Sequence, residues 1–319
     1  MEKAQYTYSQ LSSDSVAHLA NRYYTLPGFQ SCKYYVLGLH DNYLIQTRDH
    51  KYILRIYRNN WRSEGEIFFE LELLDFLGSH NAPVAAPIAT IAGELCFFID
   101  SPEGKRAAAL FPYAQGTAPG NEITVEQSTL LGETVAGIHD IAQGFKTRFT
   151  RPVLDIPYLL DESIHAIEPF VEPDVRSYLR TLQKDIKDTL PVIPQSAPYF
   201  GICIGDVNAS NFHIDDNRQI TLFDFDQCGY GHRAFEIGKF FASLKTDSAK
   251  QAIADAFIEG YQRLRKLTDE ELSAIPLYEK LANIWVMAIH VYNADRIGYK
   301  WLEKPFWHRW LAKLQVLDK

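Results

Sequence analysis

The stretch Gly205–Asp226, GDVNASNFHIDDNRQITLFDFD, limits the chain's architecture more than any other segment, because it sets three metal- or proton-handling side chains around what reads as one short hairpin. Asp206 and Asn211 lie at the two ends of a polar loop, and Asn211 leads into the apolar run Phe212-His213-Ile214. The Asx-rich turn Asp215-Asp216-Asn217 then reverses the chain. Gln219–Phe223 returns as a second strand and delivers Asp224 beside Asn211. A carboxylate able to take a proton from a hydroxyl, next to a carboxylate and an amide oxygen suited to magnesium, is what phosphoryl transfer asks of a protein. Each of these residues alone is more often a turn residue. Their order around a hairpin favours the chemical reading.

These residues resemble the catalytic loop of the aminoglycoside phosphotransferase and choline kinase superfamily, protein-kinase-like enzymes with a His-Gly-Asp-x-x-x-x-Asn loop followed by an Ile-Asp-Phe-Asp strand. The loop here is Ile204-Gly205-Asp206-Val207-Asn208-Ala209-Ser210-Asn211, so Ile204 replaces the histidine, and the strand ends Asp224-Phe225-Asp226. The resemblance implies Asp206 as catalytic base, Asn211 and Asp224 as metal ligands, and a supporting role for Asp226. The histidine mainly braces the loop in such folds, so Ile204 bears on loop rigidity more than on the chemistry. The implied fold is α+β and bilobal, with a small antiparallel-sheet N-lobe over 1–111, a hinge at 112–116 and a mainly helical C-lobe over 117–319. ATP and Mg2+ are the implied cofactors.

The upstream sequence has the parts such a nucleotide lobe needs. Tyr34–Leu37, Tyr43–Thr47 and Tyr52–Tyr57 are short runs of aromatic and β-branched residues separated by turn-like segments, which predict antiparallel strands. Ser63–Leu77 predicts a helix, with Ser63 as N-cap and Glu66 as its capping-box partner. By resemblance, Arg55 and Glu70 form the phosphate-holding ion pair. Arginine at this place grips phosphate in a planar fork where lysine would be a point charge. Gly38 is the lone glycine of the expected phosphate-covering turn before Asn42. Cys96–Ile99 and Ala107–Phe111 predict two more strands, and the resemblance makes Phe111, Tyr113 and Ala114 the edge that reads the base.

Beyond the hinge, helices are predicted over 124–141, 156–168, 172–189, 233–244, 250–267, 276–298 and 304–316. His139 reads as a packed core histidine. Glu236, in Gly231–Ile237, is similar to the acid that holds the family's catalytic loop. The aromatics between Trp285 and Trp310, with Asp295, suit either a packed core or a cation–π cage for an amine, the core being the commoner outcome. Gly229-Tyr230-Gly231-His232-Arg233-Ala234 formally fits a dinucleotide fingerprint, but no second strand precedes the required acid at Asp247. The 10 histidines show no zinc spacing.

Composition narrows partners. The 319 residues carry a formal charge of −8, which argues against a nucleic-acid backbone binder. No run reaches transmembrane length and MEKAQYTYSQ lacks a secretion signal's apolar core, so no membrane association and a cytoplasmic location are expected. The four cysteines, without pairing or metal spacing, suit reduced thiols. The expected activity is phosphorylation of a hydroxylated small molecule, such as an aminoglycoside-like antibiotic, an amino alcohol or a homoserine-like metabolite. A Ser/Thr protein substrate and a nucleotide-binding pseudokinase are the alternatives. Oligomeric state is left open.

Overall fold

A computed structural model describes residues 5–318 of the chain. It divides into two compact units. The first takes in the chain up to Gln115 together with Phe145–Thr150 and Thr221–Phe223, and the second takes in the remainder.

The first unit is built on a five-stranded antiparallel sheet in the order β1 (Phe29–Leu37), β2 (Asp41–Thr47), β3 (Lys51–Ile56), β5 (Gly104–Pro112), β4 (Phe97–Ser101). Side chains alternate across such a sheet, so Leu54 and Ile56 point to one face and Arg55 to the other. On the Leu54 face, Tyr43, Ile45 and Leu110 pack against Val16 and Ala20 of α1 (Ser13–Tyr23). Arg55 instead meets α2 (Glu64–Ser79). The capping box expected at Ser63 and Glu66 is formed, with both reciprocal bonds present. Phe145 and Phe149 extend this unit, Phe149 stacking on Phe68 of α2 and Phe145 meeting Phe69 edge-on and Phe76 at a tilt.

The second unit is mainly helical: α3 (Val125–Ile141), α4 (Glu162–Ile167), α5 (Pro173–Thr189), α6 (Arg233–Ser243), α7 (Lys250–Leu264), α8 (Asp269–Ile297) and α9 (Lys304–Val316). Helices α3 and α7 approach closely enough to need glycine at the crossing. A Cβ on Gly260 would lie 1.9 Å from the Thr129 carbonyl oxygen, and one on Gly132 would lie 2.1 Å from that of Phe257. Within this unit β6 (Phe200–Cys203) pairs antiparallel with β9 (Gly229–His232); β7 (Phe212–Ile214) and β8 (Ile220–Leu222) form a separate two-stranded sheet. The dinucleotide-like glycines thus form a strand, which fits their dismissal as a pyrophosphate turn.

Several boundaries differ from expectation. Helix α1 was not foreseen, and β1 begins at Phe29 instead of Tyr34. Helix α8 starts at Asp269 instead of Pro276, because Thr268 and Glu271 form a capping box and Pro276 is carried inside the helix. The expected helix over 156–168 is broken into a π turn at Pro157–Asp161, α4, and a 3-10 turn at Glu168–Phe170. Among the described residues, no helix is long and apolar enough to cross a membrane.

Candidate active site

In the first unit, Arg55 and Glu70 meet as the sequence predicts. Arg55 Nη1 lies 3.1 Å from Glu70 Oε1, with the Glu70 side chain fully buried and that of Arg55 11% exposed. Removing either partner would leave the other charged and buried, which is strongly unfavourable. The pair is therefore held by its own desolvation cost. The guanidinium carbon also lies 5.5 Å from the Phe111 ring centre and 5.9 Å from that of Tyr57. Those rings restrict the guanidinium plane.

Further along the same edge, the Tyr113 backbone N–H donates to Lys51 O at 3.0 Å. The Tyr113 and Tyr35 hydroxyls lie 3.3 Å apart, and that bond pushes Tyr113 up to about 12. Ala114 is buried next to it. Gly38 sits in the short β1–β2 connection, with its N–H donating to His40 O at 3.1 Å. Just before it, Tyr35, Val36 and Leu37 are each about half exposed (50%, 49% and 49%), an apolar strand tip that sequence reasoning did not single out.

The second unit brings together Asp206, Asn211 and three residues whose partners lie far away in sequence. Asn211 Nδ2 donates to the Asp206 carbonyl at 3.0 Å and to Asp206 Oδ2 at 2.9 Å. This pair of hydrogen bonds fixes the amide with its nitrogen toward Asp206, so its oxygen is the atom suited to a cation. Asp206 Oδ1 accepts from Lys239 Nζ at 2.5 Å. Lys239 was missed in the sequence, since nothing in a spacing links it to position 206. Gly205 has φ of +82°, and a Cβ there would lie 2.0 Å from the Gln227 carbonyl oxygen. Only glycine allows the loop to run so close to the chain that follows the Asp-Phe-Asp motif.

The brace of this loop is Glu236, in the place the sequence suggested. Its two oxygens accept the backbone N–H groups of Ile204 and Gly205, the latter at 2.9 Å. The Ile204 side chain is buried. The loop is therefore held through its backbone, and a hydrogen-bonding side chain at position 204 is not required for it. His139 is fully buried, with Nδ1 2.8 Å from the Tyr261 hydroxyl and Nε2 3.4 Å from Glu236 Oε2. Burial, with Arg233 and Arg265 nearby, drives its pKa well below the usual histidine range. It is a neutral core residue, as its sequence context suggested.

His139, Cys203 and Glu236 present ligand-type atoms within 4.8 Å of one another. The arrangement is poor for a cation. Glu236 already serves two backbone donors and His139 serves Tyr261. Arg233, fully buried, donates to the His139 carbonyl at 2.9 Å and adds positive charge beside them.

Burial pushes Glu236 up to about 7, against the pull of the two backbone N–H groups and of Lys239. Between the ordinary carboxyl value of 4.5 and about 7, the folded protein keeps a proton that the unfolded chain releases. Stability should therefore fall as pH rises through this window and level off above it, by up to about 3 kcal/mol. Glu236→Gln cannot titrate. Urea unfolding at about pH 5 and about pH 7.5 should show the variant gaining on the wild type at the higher pH; parallel curves would mean that Glu236 stays ionised throughout.

Asp224 follows β8 with φ of +65°, a left-handed conformation that aspartate tolerates better than most residues. Arg151 holds the chain beyond it by donating to the carbonyls of Phe225 (3.5 Å), Asp226 and Cys228 (3.1 Å). Asp226 itself is buried, and its Oδ2 accepts from Gln227 at 3.0 Å. The donor set fits magnesium in type: a carboxylate at Asp224 and an amide oxygen at Asn211, both hard oxygen ligands.

Comparisons with known proteins bear on the family and the fold. Over 312 residues the chain is 40% identical to an uncharacterized protein of Synechocystis sp., covering 97% of this chain and 86% of that one. A microcompartment-associated aminopropanol kinase is similar in fold, with a TM-score of 0.79 at 20% identity over 95% of each chain. An amicoumacin kinase, solved with AMP-PNP, Ca2+ and its antibiotic, gives 0.78 at 19% identity over 95% of this chain and 93% of that one. The phosphotransferase enzyme family, known as APH, matches residues 37–271, and the chain belongs to that family.

Proposed function

We propose that the protein is an ATP- and Mg2+-dependent O-phosphotransferase acting on a small hydroxylated molecule, with amino alcohols, homoserine-like amino acids and aminoglycoside-like antibiotics as the leading acceptors. The observation that carries this reading is the clamp of Asn211 on Asp206, which holds one carboxylate through the amide nitrogen and leaves the amide oxygen as the atom to offer a metal. Asp206 takes the proton of the acceptor hydroxyl. Asn211 and Asp224 would hold the magnesium, which when bound neutralises charge on the nucleotide phosphates. Arg55, fixed by Glu70, grips a phosphate. The backbone around Gly38 covers the phosphates, and Phe111–Ala114 reads the base. Asp226, being buried, supports the chain at Asp224.

The aminopropanol kinase by its name acts on an amino alcohol and the amicoumacin kinase on amicoumacin, which supports a small-molecule acceptor of the amino alcohol or antibiotic kind. Against a pseudokinase stands the backbone brace at Glu236, which leaves the loop ordered despite Ile204.

The test is ATP consumption across a panel of amino alcohols, amino acids and aminoglycosides, with labelled ATP and no acceptor as the control. One acceptor should stimulate consumption and appear as a phosphomonoester by mass spectrometry. Labelling of the protein alone, with no stimulation by any acceptor, would favour a protein kinase, and no consumption at all would favour a nucleotide-binding module.

A further inference from the structure

Lys239 is an expensive residue to place where it is. Its side chain is 4% exposed, on a helix whose neighbours Ile237, Phe240 and Phe241 are buried apolar residues. An ammonium in such surroundings is tolerated only when paired. Its partner is Asp206 Oδ1, at 2.5 Å. The Asp206 side chain is 31% exposed and keeps access to water, so Asp206 does not need Lys239 for solvation. Nearby positive charge adds to the cost, because Lys313, which donates to the Ala242 carbonyl at 2.5 Å, lies close enough for the two ammoniums to repel. A packed apolar residue at 239 would cost less. The charge calls for another explanation.

Helix α6 supplies one. Residues three apart on a helix share a face. Glu236 and Lys239 stand at that spacing, and one fixes the loop backbone at Ile204 and Gly205 while the other fixes the side chain at Asp206. Asn211 holds the other oxygen, Oδ2, at 2.9 Å. Both carboxylate oxygens are thus anchored, yet a carboxylate offers about four acceptor positions, so lone pairs remain for a hydroxyl proton.

We propose that Lys239 is a positioning residue for phosphoryl transfer, orienting the Asp206 carboxylate toward the acceptor hydroxyl. This rests on the phosphotransferase reading given above. As the acceptor O–H bond breaks, its proton passes to Asp206. The acceptor oxygen forms its bond to the γ-phosphorus while the bond from that phosphorus to the departing ADP oxygen breaks. The Lys239–Asp206 ion pair weakens as the proton arrives, while Glu236 stays close enough to act on the ammonium. The contribution of Lys239 is therefore orientation: by holding Oδ1 it keeps the carboxylate aimed at the acceptor hydroxyl before the proton moves.

The experiment uses the full chain with the acceptor found in the panel and saturating Mg-ATP. Wild type, K239M, K239R, D206N and D206N/K239M are compared for melting, Mg-ATP affinity, kcat and acceptor KM. K239M should keep Mg-ATP affinity and acceptor KM but lose about 10- to 100-fold in kcat, the scale of a misplaced catalytic group. K239R should recover part of that loss. In the D206N background, adding K239M should cost nothing further, since the lysine acts through Asp206. Wild-type kcat in K239M, or an equal further loss in the D206N background, would overturn the inference while leaving the phosphotransferase reading intact. A wild type without turnover on any acceptor would overturn that reading and the inference with it. If K239M does not fold, K239R decides: a folded K239R with part of the wild-type kcat supports the proposal, and one as slow as D206N overturns it.

Discussion

Asp206→Asn is expected to give a folded protein that still takes up Mg-ATP but turns over about 10²- to 10⁴-fold more slowly, the range typical of a general base. The substitution keeps the shape of the side chain. An oxygen at this place can still accept from Asn211, which now donates to Oδ2 at 2.9 Å. The loop backbone is unaffected, because Glu236 holds it at Ile204 and Gly205. Basicity, charge and one of the two anchored acceptor oxygens are removed, since an amide cannot accept from both Asn211 and Lys239 through separate oxygens. The lost charge leaves Lys239 buried without its anion, so a modest fall in melting temperature is expected. Circular dichroism and calorimetry with Mg-ATP would separate this from unfolding. Near wild-type turnover on an identified acceptor would show that Asp206 is not the base.

What was legible in the sequence was what local chemistry encodes. The capping box at Ser63 with Glu66 is a local signal, and α2 begins where it predicts; α3 was legible from its apolar spacing, while its capping box of Thr124 and Gln127 is seen only in the structure. The polar loop from Asp206 to Asn211 fixes its own partners within a few residues, so the clamp between them follows from spacing. The Arg55–Glu70 pair lies farther apart, and the family resemblance supplied it.

Other features rest on tertiary partners that spacing does not reveal. Lys239 reaches Asp206, Arg151 reaches the carbonyls after Asp224, and the Gly132–Gly260 crossing joins two distant helices. Helix α1 offers only Val16 and Ala20 as buried positions, too few for a clear helical period. The start of α8 was readable: Thr268 and Glu271 form the same signal as Ser63 and Glu66, but the proline at 276 masked it.

Asp224→Ala should abolish turnover. The Asp224 carboxylate stands on backbone that is tightly held, with Arg151 gripping the next carbonyls and Asp226 buried two residues on. Its removal therefore subtracts a charge from a fixed place, and the loop cannot easily swing another acid into it. In the proposed reading, Asp224 and the neutral Asn211 amide would hold the magnesium, so losing Asp224 removes its anionic protein ligand. Mg2+-dependent nucleotide affinity should fall together with activity. One complication is local: alanine tolerates φ of +65° less well than aspartate, so part of any loss could come from strain. Asp224→Asn is the control, because asparagine accepts the left-handed conformation and keeps the shape while losing the charge. Both variants should lose activity, and asparagine should keep the melting temperature nearer to wild type. Titration calorimetry of nucleotide with and without Mg2+ gives the decisive reading. If both variants bind Mg-nucleotide as the wild type does and remain active, Asp224 is not part of the metal shell.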